Sequence, residues 1–102
     1  MRRSVLSLSL EGTMTVITVH GSLDCATVEP LRSVLALLRR DADVVVDIRD
    51  VDFCDSAGVW MLAGSALDAS ACGHELTVRH PHPCVEHVLR LTGCDWLVSA
   101  GA

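Results

Sequence analysis

Val44-Val45-Val46 is the stretch that most narrows what this chain can fold into. Three β-branched residues in a row leave no polar face, so a strand built from them must be covered on both sides. That pattern belongs to a central parallel strand. The strand is expected over residues 43–48, followed by a loop from Asp50 to Asp55. An apolar, alanine-rich helix is expected next, over 56–72, with Gly73 as its stop. A strand running directly into a helix is half of a parallel crossover unit, so the class is α/β.

The remaining segments fit that class. Residues 4–10 set Leu6, Leu8 and Leu10 against Ser7 and Ser9, a half-buried strand. Glu11-Gly12 turns the chain, and residues 13–20 alternate again, which makes a hairpin. Gly21-Ser22-Leu23-Asp24 breaks the pattern. Thr27 and Asp24 are both candidate caps of the first helix, and Pro30 falls in the first turn, where its missing N–H costs little. Leu31, Val34, Leu35 and Leu38 follow helical spacing, and Arg39-Arg40 supplies the positive charge that a helix C-terminus favours. A short strand at 75–79, a rigid loop at Pro81 and Pro83, a helix over 84–92 with Gly93 as its stop, and a hydrophobic coda at 95–98 complete the chain. The order β-β-α-β-α-β-α predicts a mixed sheet of four to five strands in one domain spanning 1–102. In such sheets, sites gather where strands end at their carboxyl side. Asp24 and Ser56 are therefore expected on the same edge.

Composition narrows the function. A chain of 102 residues with net charge −5 and no basic stripe lacks the electrostatic footprint of a nucleic-acid binder. Half of its residues are apolar, and the mean hydropathy is +0.41, enough for a core with apolar surface left for a partner. No apolar run reaches the ~18 residues of a membrane span. Met1-Arg2-Arg3 and the leucines after it superficially resemble a secretory leader, but serines interleave and Glu11 ends the run, so strand is the reading. The cysteines at 25, 54, 72, 84 and 94 form no C-x-x-C pair and are odd in number, which implies reduced thiols in a cytoplasm.

Ser56 is the residue where chemistry is expected. It stands at the start of a helix, where unpaired N–H groups and the dipole favour phosphate. As a nucleophile it lacks a G-x-S-x-G elbow and a neighbouring histidine, so hydrolysis is disfavoured. Asp55 or Ser56 can equally serve as a plain helix cap. His80, His82, Cys84 and His87 are metal-ligand types at a spacing that matches no common site, and the isolated glycines build no phosphate cradle. No metal and no cofactor are expected.

The stretch from Asp47 through Asp55-Ser56-Ala57-Gly58 resembles the signature of the STAS domain family, a strand ending in an acid and then a D-S-x-G turn. Gly21-Ser22-Leu23-Asp24 resembles the family's G-x-L-D element. Leu76-Thr77-Val78 with Pro81-His82-Pro83 resembles its fourth strand and following loop. Leu89-Arg90-Leu91-Thr92-Gly93-Cys94-Asp95 resembles the end of its third helix. The resemblance covers nearly the whole chain in order. Among STAS domains, a free-standing chain with an intact D-S-x-G is similar to bacterial anti-sigma factor antagonists. That resemblance implies phosphorylation at Ser56 by an anti-sigma factor that is also a serine kinase, release of the partner on phosphorylation, and resetting by a phosphatase. It also implies a binding surface at Asp24, Asp55, Ser56, Ala57, Gly58, Val59 and Trp60. A different class stays open, a constitutive accessory subunit that docks on the ATPase of a membrane lipid transporter. Trp60 departs from the family, whose members often carry a small residue there; it is either core or an interface anchor.

Overall fold

The computed structural model describes residues 4–38 and 40–98, so the readings placed on Met1-Arg2-Arg3 and on Arg39 fall outside the described residues. Four strands form one sheet in chain order: β1 (Ser4–Glu11), β2 (Met14–Leu23), β3 (Val44–Cys54) and β4 (Leu76–Arg79). β1 pairs antiparallel with β2, whereas β2, β3 and β4 are parallel. Helices α1 (Val28–Leu38), α2 (Ser56–Ala71) and α3 (Pro83–Leu91) alternate with them, and a 3-10 turn at Asp95–Leu97 follows. Among the described residues no helix is long and apolar enough to cross a membrane.

One core cluster joins the buried faces of all three helices to alternate sheet residues: Ile17 and Val19 of β2, Val44, Val46 and Ile48 of β3, and Val78 of β4. The helices therefore lie on one face of the sheet. Val16 and Val45 are buried on the other face, outside that cluster. The expectation of cover on both sides holds for burial, but no described helix supplies the second cover. Polar side chains stand there instead, centred on Asp47.

Asp47 is buried and paired in register with Arg79 of β4. Its carboxylate accepts from Arg49 Nη2 at 2.9 Å and from Arg79 Nε at 3.0 Å, and Arg79 Nη2 reaches Glu11 Oε2 of β1 at 2.7 Å. Burial pushes the Asp47 carboxyl up, but the hydrogen bonds from Arg49 and Arg79 outweigh it and hold it at about 2. The Arg79 bond likewise holds Glu11 below the ordinary carboxylate range.

Both long parallel strands outrun the sequence expectation. β2 continues past His20 to Leu23, and β3 passes through the expected 50–55 loop to Cys54. Two register shifts explain why the pattern broke. One falls between Thr18 and His20, the other between Gly21 and Ser22, and β3 carries the extra residues. These are β-bulges, which re-aim side chains while pairing continues. At the first, the Arg49 N–H finds the Asp47 carboxylate at 3.0 Å.

β1 also departs from expectation. Leu6 packs against the core, but Leu8 and Leu10 are exposed, because among the described residues no helix covers them. The helix stops behave as read. Gly73 takes φ +78, its N–H donates to Ser70 O, and the His74 N–H donates to Ala69 O. This double closure needs a left-handed residue at its centre, which glycine adopts without strain. Gly93 closes α3 in the same way. Of the hydrophobic coda, Leu97 is buried and Val98 bridges Val78 of β4, while Trp96 stays largely exposed.

Candidate functional site

The carboxyl ends of β2 and β3 are neighbours, with Leu23 paired to Cys54. The chain leaves them through two acidic corners, Asp24 toward α1 and Asp55 toward α2. The Leu23 carbonyl joins the corners by accepting the Asp55 N–H at 3.2 Å. Gly58 sits immediately above: a Cβ there would lie 2.5 Å from the same Leu23 oxygen, 3.0 Å from Leu23 Cγ and 3.1 Å from Cys54 Sγ. Only a residue without a side chain lets α2 approach the end of β2 this closely. The glycine of D-S-x-G thus serves contact between the two motifs, and Asp24 and Ser56 do share one edge of the sheet.

At the first corner the cap is Asp24, the second of the two expected candidates, and not Thr27. Asp24 is buried; its carboxylate accepts the Ala26 N–H at 2.9 Å, and its carbonyl accepts the N–H groups of Thr27 and Val28. The Thr27 hydroxyl accepts the Asp24 N–H and donates to the Ser22 carbonyl, each at 2.9 Å. Thr27 therefore supports the cap from behind, because the turn of residues 25–27 moves the first free N–H groups back to Asp24.

At the second corner Asp55 has extended backbone, and its side chain accepts the Gly58 N–H at 3.1 Å. Asp55 is the N-cap of α2, which leaves Ser56 as the first helical residue. Ser56 is exposed, and its hydroxyl has no hydrogen bond among the described residues. Cys54 lies beneath: burial first, and then the charges of Asp55 and Asp24, push its thiol up to about 12. It stays protonated and is no thiolate nucleophile.

Of the residues expected at the site, Gly58 and Val59 are buried, Asp55 and Ala57 are half-buried, and Ser56 and Trp60 face solvent. Val59 joins the core cluster and so holds α2 in place rather than presenting surface. Trp60 is 57% exposed, which removes it from the core. It stands over a groove of about 410 Å³ between α1 and α2, lined by Arg32, Ala57, Met61, Gly64 and Asp68 as well as the indole. Ala57, Trp60, Met61, Gly64 and Asp68 recur at helical spacing, so small residues flank the indole and open the groove. The sequence reading missed this feature and with it Arg32, which ion-pairs with Glu29 one turn before it. Only tertiary packing brings Arg32 of α1 beside Trp60 of α2; the sequence signal was limited to an apolar helix carrying more large side chains than one core face needs. Among the described residues no group of three or more potential ligands converges on a metal site.

The fold is a mixed α/β sheet with its helices on one face, and its site is an exposed serine at a capped helix start beside two acidic corners. A family profile described as "Mlab, STAS domain" matches residues 6–99, and the chain belongs to the STAS domain family. No curated protein matches the sequence. Among solved structures the chain is similar to the anti-sigma factor antagonist SpoIIAA in its unphosphorylated form, with TM-score 0.79 and 21% identity over 93% of this chain and 86% of that one. It is similar also to the Bacillus cell fate determinant SpoIIAA in the phosphorylated form, with TM-score 0.72 and 21% identity over 93% and 89%. An anti-sigma factor antagonist STAS domain from Rhodobacter sphaeroides gives TM-score 0.62 and 25% identity over 76% and 86%.

Proposed function

We propose that this chain is an anti-sigma factor antagonist whose binding is switched off by phosphorylation at Ser56. The observation that carries the proposal is the division of labour at the α2 start: Asp55 caps the helix, so the Ser56 hydroxyl is exposed and has no structural duty. A phosphoryl group there adds about 1.5–2 negative charges. The first-turn N–H groups not taken by Asp55 and the helix dipole receive that charge, so the fold tolerates it. SpoIIAA, which shares this fold, exists in both phosphorylated and unphosphorylated forms.

A partner pressed against the same spot does not tolerate the charge. Asp55 adds like charge beside it, and the phosphate must lose water on docking. A penalty of ~3–4 kcal/mol weakens binding several hundredfold, which is ample for a switch. The unmodified protein binds an anti-sigma factor that is also a serine kinase and frees the sigma factor; phosphorylation releases the kinase, and a phosphatase restores the serine. Trp60 and the groove beside it give the partner an apolar anchor one turn from the switch, as aromatic hot spots do. Trp60→Ala is expected to weaken capture of the partner at least tenfold, by roughly 1.4 kcal/mol or more.

The test is to incubate the protein with ATP and lysate from its source, map phosphate by mass spectrometry, and compare partners captured by wild type and Ser56→Asp. Phosphate at Ser56 and loss of an anti-sigma kinase from the Ser56→Asp capture are expected. An unmodified Ser56 with the same partners for both forms contradicts the switch, and constitutive docking on a membrane transporter's ATPase subunit then accounts for the surface.

A further inference from the structure

The two edges of the sheet are treated differently. β4 is four residues long, ends in the ion-paired Arg79, and is bridged by Val98 beyond it. β1 carries none of the usual protections of an exposed edge. It pairs with β2 along its full length without a register shift and contains no proline and no basic residue. Its single charge, Glu11, stands at its last position and is engaged by Arg79. Among the described residues β2 is its only strand neighbour. It presents Val5, Leu8 and Leu10 at 60%, 54% and 75% exposure.

The sequence of this edge says what fits it. Leu6-Ser7-Leu8-Ser9-Leu10 reads the same in both directions about Leu8. When two such strands meet antiparallel about a two-fold axis at Leu8, Leu6 faces Leu10, Ser7 faces Ser9, and Leu8 faces its own copy. Leu6, Leu8 and Leu10 are paired with Val19, Ile17 and Thr15 of β2, so they point to the helix-bearing face, and the serines point to the other. A two-fold perpendicular to the sheet keeps the helices of both copies on one side. Over residues 6–10 the leucines then merge into one apolar row and the serines into one polar row, each opposite its own kind, while Val5, on the serine face, meets Glu11. Such self-complementarity is what an isologous interface requires, and same-face cross-strand pairs are what stabilise it.

We propose that β1 pairs with β1 of a second copy of this chain about a two-fold at Leu8, joining two sheets into one. β1 supplies no residue of the Ser56 corner or of the groove beside Trp60, so the contact is tested separately from the Ser56 switch.

Sedimentation of the full chain from micromolar to millimolar concentration is expected to show a reversible monomer–dimer equilibrium. Leu8→Lys places two ammonium groups face to face across the axis and is expected to weaken the dimer by at least about tenfold. Leu8 is more than half exposed, so the variant retains its fold, which circular dichroism checks. The register has its own test in a background with Cys25, Cys72 and Cys84 changed to serine. Under oxidation, disulfide-linked dimer is expected within Leu8→Cys or in a mixture of Ser7→Cys with Ser9→Cys, and not within either of those two alone. A protein that stays monomeric throughout, a dimer indifferent to Leu8→Lys, or cross-linking that ignores this register overturns the proposal.

Discussion

Asp47 within β3 and Asp55 at the N-cap of α2 spend their charge in opposite ways. Asp47 is buried and gripped by Arg49 and Arg79, with Glu11 completing the network from β1. Asp55, one strand-length further on, gives its carboxylate to the backbone of α2 and has no arginine in its hydrogen bonds. The first region neutralises charge where the sheet lacks a helix. The second leaves charge and a bare hydroxyl on the surface. The contrast separates what a change can reach: substitutions around Asp47 are felt in folding, whereas those on the exposed side of α2 are felt by a partner.

The largest stability effect is expected at Asp47. Asp47→Ala leaves two arginines without their buried acceptor and should cost about 3 kcal/mol in urea unfolding at neutral pH. The wild-type protein should show the corresponding pH dependence. The carboxyl titrates at about 2 in the folded state, below its unfolded value of about 4, so its contribution is complete above that unfolded value. It is lost as pH falls through the folded value, removing about 2 kcal/mol. An Asp47→Asn protein should lack that component of acid sensitivity; an acid profile identical to wild type breaks the assignment of Asp47 as the folding-side acid.

Next in size is a pair of glycines on α2. Gly58→Ala drives a methyl into the Leu23 carbonyl and should cost about 2 kcal/mol, as overpacking does. Gly64→Ala meets nothing within 4 Å and should raise stability by about 0.5–1 kcal/mol through helix propensity alone. The two changes are chemically the same and opposite in sign, so thermal melts of both variants test whether α2 has one anchored face and one free face. Smallest in stability is Trp60→Ala, expected within about 0.5 kcal/mol because the indole is largely in water. A loss of several kcal/mol there would move Trp60 to the folding side of the comparison.

Much of this was legible in the chain. Helices α2 and α3, β4 and both glycine stops lie within two residues of their expected places, because each has a strong local signal: periodicity, a cap, a left-handed glycine. What was not legible is tertiary. Gly21-Ser22 and Asp50–Asp52 look like loop because bulges break the alternation, yet parallel pairing carries the strands through them. Leucine–serine alternation identifies the faces of β1 but not whether a helix lies over one of them, so Leu8 and Leu10 read as half-buried. Thr27 and Asp24 both look like caps by residue type, and only the extra turn after Asp24, which moves the free N–H groups back, decides between them. The site was only half visible. Ser56 and Asp24 could be placed from strand order, whereas Arg32 reaches the groove only because α1 packs on α2.

The central claim is that charge at Ser56 is silent in the fold and decisive at the interface. The direct measurement is the affinity of the captured partner for Ser56→Asp against Ser56→Ala, by calorimetric titration of the two variants side by side. The alanine form is predicted to bind like the unmodified protein, and the aspartate form to bind far more weakly, up to the several hundredfold set by a penalty of about 3–4 kcal/mol. Equal affinity of the two variants would contradict it.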